Sequence, residues 1–170
     1  IIAHKRGEIA AGQAAASFEA LAAAETDAAP PRDLVTAVSG GDGVRIIAEV
    51  KRRSPSAGEL CGTFDPVAIA KAYEKASASA ISCLTDEAFF GGDLAYIAAI
   101  KEAVGLPVLR KDFIIDPWQV LESRVAGADA ILLIAEALPG DDLSICMGDA
   151  HALGMTTLLE AHGRAQVERI

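Results

Sequence analysis

The sequence is poor in cysteine, has no long apolar run, and is short of positive charge, and each scarcity excludes a class of protein. Its three cysteines, Cys61, Cys83 and Cys146, are odd in number, widely spaced and without a CxxC pair. That argues against a disulfide framework and against a zinc ribbon, and points to a reducing cytoplasm. No stretch approaches the roughly 20 apolar residues of a membrane span. The best candidate, Ile131 to Ile134 with its flanks, is broken by Asp129 and Glu136. The first ten residues, IIAHKRGEIA, lack the ordered regions of a signal peptide, so the chain is expected to be soluble and unexported. Fifteen Lys and Arg stand against 24 Asp and Glu, a net charge of −9. Bulk attraction to nucleic acid or anionic lipid is therefore excluded, and any anion must be caught by a local cluster.

What is present is enough apolar material for a core: 52% of the 170 residues are hydrophobic and 23% charged, far from the signature of a disordered chain. Residues 1–25 are Ala-rich with helical spacing and end at Ala29-Pro30-Pro31, which predicts one or two helices. A short helix is expected from Asp33. The glycine loop Ser39-Gly40-Gly41-Asp42-Gly43 precedes a strand, the wrong order for a dinucleotide-binding fingerprint. Residues 1–43 thus read as a helical extension and 44–170 as the main body.

The main body alternates. Strands are predicted at Arg45–Val50, Ala78–Leu84, Pro107–Lys111, Ala128–Ile134 and Met155–Glu160, with helices near Pro66–Ala76, Leu94–Val104, Pro117–Ala126 and Pro139–Leu153. Asp65-Pro66 and Asp116-Pro117 each place a capping carboxylate before a proline at the first helical position. Gly105, Gly127 and Gly154 fall where left-handed caps would release the chain into the next strand. Near-continuous apolar strands predict a parallel sheet covered by helices, an α/β fold. Two architectures fit: a five-stranded doubly wound sheet, or five units of a (β/α)8 barrel.

The strand ends carry the chemistry. Because strand side chains alternate, Glu49 and Lys51 share a face, as do Leu109, Lys111 and Phe113, and Glu160 closes the fifth strand. Two lysines and two carboxylates converging on one rim suit general acid–base work, or a Schiff-base lysine. The basic loop Arg52 to Gly58 is expected to meet an anionic substrate, and the loop carrying Phe89-Phe90-Gly91-Gly92 to form a lid or a ring-stacking wall. His4, His151 and His162 show no metal-ligand spacing; Trp118 and Cys83 read as packing residues.

The stretches IIAEVKRRSPSAG at 46–58, LTDEAFFGG at 84–92, PVLRKDFIID at 107–116, GADAILLI at 127–134 and LLEAH at 158–162 resemble the indole-3-glycerol phosphate synthase family of (β/α)8 barrels in tryptophan biosynthesis. The resemblance implies a carboxy-lyase without a cofactor. Its reaction converts 1-(2-carboxyphenylamino)-1-deoxyribulose 5-phosphate to indole-3-glycerol phosphate, releasing carbon dioxide and water. It implies Lys111 as general acid at the substrate carbonyl and Glu160 as acid–base partner for dehydration. Glu49 would bind substrate hydroxyls and orient the lysines, and Lys51 would meet the substrate's anionic groups; how acid duties divide between the two lysines stays open. Ser54 matches a binding serine of the first loop, and Phe90, Phe113 and Leu132 a wall around the aminobenzoate ring.

Five βα units are legible before Ile170, so strands six to eight and the family's phosphate-binding end are expected to be missing from these residues. On that reading the 170 residues alone lack normal synthase activity and expose strand edges through which they self-associate. The alternatives are a noncatalytic barrel fragment and a Schiff-base lysine aldolase.

Overall fold

A computed structural model describes residues 1–40, 42–60 and 62–170. Gly41 of the glycine loop and Cys61 lie outside the described residues.

The N-terminal segment folds as α1 (Ile2–Ala15), α2 (Phe18–Glu25) and α3 (Leu34–Ser39). Local chemistry sets the last two starts: Ser17 Oγ accepts from Ala20 N–H, and the Asp33 carboxylate from Thr36 N–H. The main body then runs β1 (Ile47–Val50), a small hairpin of β2 (Arg53–Ser54) and β3 (Gly58–Glu59), α4 (Pro66–Lys75), β4 (Ala80–Leu84), α5 (Glu87–Phe90) and α6 (Ala95–Ala103). It continues through β5 (Val108–Lys111), α7 (Pro117–Val125), β6 (Ala130–Ile134), α8 (Asp142–Ala152), β7 (Thr156–Glu160) and α9 (Arg164–Arg169). Asp65 and Asp116 cap α4 and α7 ahead of their N1 prolines, as predicted.

Five parallel strands pair in the order β1-β4-β5-β6-β7. Each strand of this sheet lies beside its predecessor, with a helix over every crossover. A doubly wound sheet reverses its strand order at a switch point; a barrel winds one way, and this sheet does so. The architecture is therefore five units of a (β/α) barrel.

The two faces of the sheet divide the residues by parity. Val50, Ile81, Cys83, Val108, Ile131 and Leu133 point outward into the main core, against Ile97, Ile100, Val120, Leu143 and Cys146 of the surrounding helices. Burial pushes both the Cys83 and Cys146 thiols up to about 12, so neither is a ready nucleophile. Ala80, Leu109 and Ala130 point inward and meet Leu34 of α3, which plugs the N-terminal end of the strands. A third cluster joins Ile9 and Leu21 of α1 and α2 to Trp118 and Leu121 of α7. The Trp118 indole donates to Ala16 O at 2.9 Å, and its ring lies where a Cβ on Gly12 would stand.

Below the sheet, buried Asp129 accepts from Arg32 N–H (2.6 Å) and Val108 N–H (2.7 Å) and pairs with Lys101. The Arg32 guanidinium donates to the carbonyls of Lys101 (2.9 Å), Val104 (2.9 Å) and Leu106 (2.8 Å). This corrects the expectation for Gly105. Gly127 and Gly154 are left-handed, at φ 90° and 75°, but Gly105 is not among the glycines of positive φ. α6 instead ends where buried Val104 turns extended (φ −134°, ψ 157°), and Arg32 satisfies the freed carbonyls.

Candidate active site

The inward-facing strand ends meet at the C-terminal rim. Glu49 leaves β1 beside Lys51, whose Nζ lies 2.5 Å from Glu49 Oε1, and Tyr73 Oη donates to Glu49 O at 3.1 Å to fix the strand end. Lys111 ends β5 and Glu160 ends β7, with Nζ and Oε2 3.7 Å apart. All four side chains are about one-third exposed, at 30% to 33%. They are dry enough for strong interactions and open enough to meet a ligand.

A cavity of about 240 Å³ is bounded by Glu49, Lys51, Phe90, Lys111, Phe113 and Leu132, with Asp86 and Asp112 in its wall; Glu160 stands outside its lining, beside Lys111. Phe90 and Phe113 face each other with ring centroids 6.3 Å apart. The slot has apolar sides and a charged rim of two lysines and three carboxylates, so it offers a planar ring both apolar surface and charged groups. Among the described residues there is no cluster of His, Cys, Asp and Glu arranged to hold a metal ion.

The two expected loops contain structure of their own. Ser54 sits in the β2–β3 hairpin, where its Oγ accepts from Ala57 N–H (3.1 Å) and lies 3.4 Å from Ser56 Oγ, outside the lining of this cavity. Arg53 donates to the Glu87 and Ala88 carbonyls at 3.1 and 2.8 Å, and Arg52 lies 3.7 Å from Glu59. Both arginines border a separate polar cavity of about 660 Å³ between this hairpin and α1. The phenylalanine loop is the short helix α5, capped by Asp86 and closed by left-handed Gly91 (φ 64°). A Cβ on Gly92 would collide with the backbone of Leu84 and Thr85, so the double glycine lets α5 fold back onto the end of β4. Phe90 thereby reaches the slot, while Phe89 turns away to meet the His4 ring edge-on at 5.5 Å.

Three contributors escaped the sequence reading. His162, just beyond β7, places Nε2 3.3 Å from Glu160 Oε1 and Nδ1 3.4 Å from Glu136 Oε2. Its signal was its position two residues past Glu160. Asp86 and Asp112, 1% and 4% exposed, back the two loops that carry the phenylalanines. Asp112 accepts from Thr85 Oγ1 (2.6 Å), Arg110 Nη2 (3.1 Å) and Phe113 N–H (2.8 Å). Burial alone would raise its pKa, but Arg110 and Lys5 outweigh burial and bring it down to about 2.

Comparison with known proteins shows the family. The family model for indole-3-glycerol phosphate synthase matches residues 1–170. The chain is 49% identical over 162 residues to the indole-3-glycerol phosphate synthase of Rhodopirellula baltica, covering 95% of this chain and 62% of that one. It is 45% identical over 172 residues to that of Neisseria meningitidis, covering 99% and 66%. It is 58% identical over 125 residues to that of Geobacillus kaustophilus, covering 74% and 48%. The chain thus spans less than two thirds of these relatives' length. Matched from its first residue to its last, and along the strands that carry the rim residues, the chain belongs to the indole-3-glycerol phosphate synthase family.

Proposed function

We propose that these residues supply the ring-closing half of an indole-3-glycerol phosphate synthase site in a cytoplasmic protein acting on a small phosphorylated aminobenzoate–ribulose substrate, not on nucleic acid. The observation that carries this reading is the slot itself: Glu49, Lys51 and Lys111 border the same cavity as Phe90, Phe113 and Leu132. Residues 1–43 form its helical extension and 44–170 its barrel segment.

Closing the indole ring joins the ribulose carbonyl carbon to the ring carbon that bears the carboxylate. The Lys111 ammonium donates to the carbonyl oxygen as charge develops there, lowering the barrier. The aromatic walls fold the flexible chain over the ring, so orientation is set before reaction. Departure of carbon dioxide restores aromaticity, and the new hydroxyl then leaves as water with a proton from Glu160 while the adjacent carbon gives up its proton to form the indole double bond. Glu49, in contact with Lys51, orients that lysine toward the substrate's anionic groups. Ser54 takes part through the hairpin above the rim.

The test is an assay of the whole protein that carries these residues, following the fluorescence of the indole product. Wild type should turn over, and Lys111→Ala should lose about 10²–10⁴-fold in kcat, the usual worth of a positioned proton donor. Near-normal turnover in that variant would refute the role. A Schiff-base aldolase, by contrast, would leave a borohydride-stable adduct on Lys111.

A further inference from the structure

Lysine is seldom buried on a helix, yet Lys5 and Ile9 are the buried residues of α1, and Lys5 is only 4% exposed. Its Nζ lies 2.5 Å from Glu8 Oε2, 2.9 Å from Asp86 Oδ2 and 2.9 Å from Asp112 Oδ1. All three ammonium protons therefore have a carboxylate to meet. Burial opposes this charge, but Asp112 foremost, with the carboxylates of Glu8, Asp112 and Asp86 accepting hydrogen bonds from the ammonium, holds the lysine's pKa above its ordinary value.

Lys5 is not part of the slot lining; it stands behind the wall, on the side of the larger cavity. The two buried carboxylates it joins belong to different loops. Asp86 caps α5 through Phe89 N–H at 2.8 Å, one residue before Phe90. Asp112 follows Lys111 and accepts from Phe113 N–H at 2.8 Å. Arg110 balances Asp112 as well, but among the described residues Lys5 is the ion-pair partner of Asp86 Oδ2. Without the ammonium, two buried carboxylates would face each other and push α5 away from the end of β5. Phe90 would separate from Phe113, and Lys111 would lose its fixed neighbour.

We propose that Lys5 is a positioning residue for the ring-closing site: from the N-terminal helix it clamps the loops after β4 and β5, so that Phe90, Phe113 and Lys111 face one another. This rests on the function proposed above and extends it to a residue 106 positions away from the proton donor in the chain.

The test compares Lys5→Met and Lys5→Arg in the whole protein. Lys5→Met should lower kcat by about 10²-fold, the scale of a misplaced catalytic group, and raise KM as the wall loosens. Amide hydrogen exchange at Phe89 and Phe113 should accelerate at least about tenfold as both loops open locally. Lys5→Arg keeps a cation, with the larger cavity alongside to take its bulk, and should restore slow exchange and most of the turnover. Asp86→Asn removes one arm of the clamp and should accelerate exchange at Phe89 while sparing Phe113, which reads the same mechanism should Lys5→Met fold poorly. Unchanged exchange at both amides, or a lowered Tm with kcat and KM intact, would overturn the proposal. If wild type makes no indole product while the exchange pattern follows these variants, the clamp stands and the assigned reaction falls.

Discussion

Replacing Asp129 with asparagine tests whether the latch beneath the sheet contributes what its geometry implies. The aspartate is fully buried and holds two backbone amides, Arg32 N–H at 2.6 Å and Val108 N–H at 2.7 Å, on different oxygens, with Lys101 on the first. Asparagine has one acceptor oxygen and one NH₂, so in either orientation a donor faces a donor. A buried amide left without an acceptor costs about 1–3 kcal/mol. Breaking a buried ion pair costs about 3–5 kcal/mol, but the Lys101 side chain is 17% exposed and can recover part of its hydration. The sum is on the order of 3 kcal/mol, a shift in Tm of roughly 6–12 °C for a chain of this size. Urea and thermal unfolding of Asp129→Asn, Lys101→Met and the double variant would measure it. The double variant should be more stable than additivity predicts, by at least about 1 kcal/mol, because methionine removes the stranded charge. A loss below about 1 kcal/mol, or strict additivity, would refute the latch as described.

Two further predictions concern the wall of the slot. Asp112 has its pKa lowered from 3.8 to about 2, so its contribution is fully present above pH 4 and is lost as pH falls through 2. The stability gap between wild type and Asp112→Asn should therefore narrow by about 2 kcal/mol between pH 5 and pH 2, measured by denaturant titration at each pH. Gly92→Ala, which drives a Cβ into the Leu84–Thr85 backbone, should displace α5 and weaken binding of an aminobenzoate ligand at least about tenfold; unchanged affinity would show that α5 does not depend on that close approach.

The parts of this fold that could be read from sequence were those fixed by neighbours in the chain. Asp65-Pro66 and Asp116-Pro117 announce helix starts because a cap and its amides lie within three residues. Glu49, Lys51 and Lys111 could be placed on one rim because strand side chains alternate. Gly105 misled because the helix end beside it is satisfied by Arg32, more than 70 residues upstream, and no local pattern reports that. Lys5 escaped for the same reason: its spacing places it on the same face of α1 as Ile9, but only the tertiary fold brings Asp86 and Asp112 to it. Periodicity alone left the winding open, and the sequential strand order decided it.

The N-terminal helices also impose a schedule on synthesis. Arg32 waits for Asp129, 97 residues later, and Ala16 for Trp118, 102 residues later. At roughly 5–20 residues per second of translation, Ile9, Leu21 and Leu34 leave the ribosome on the order of 5–20 s before the surfaces that bury them exist. The helices are thus made first and docked late, with their apolar stripes exposed meanwhile to chaperones and to neighbouring nascent chains.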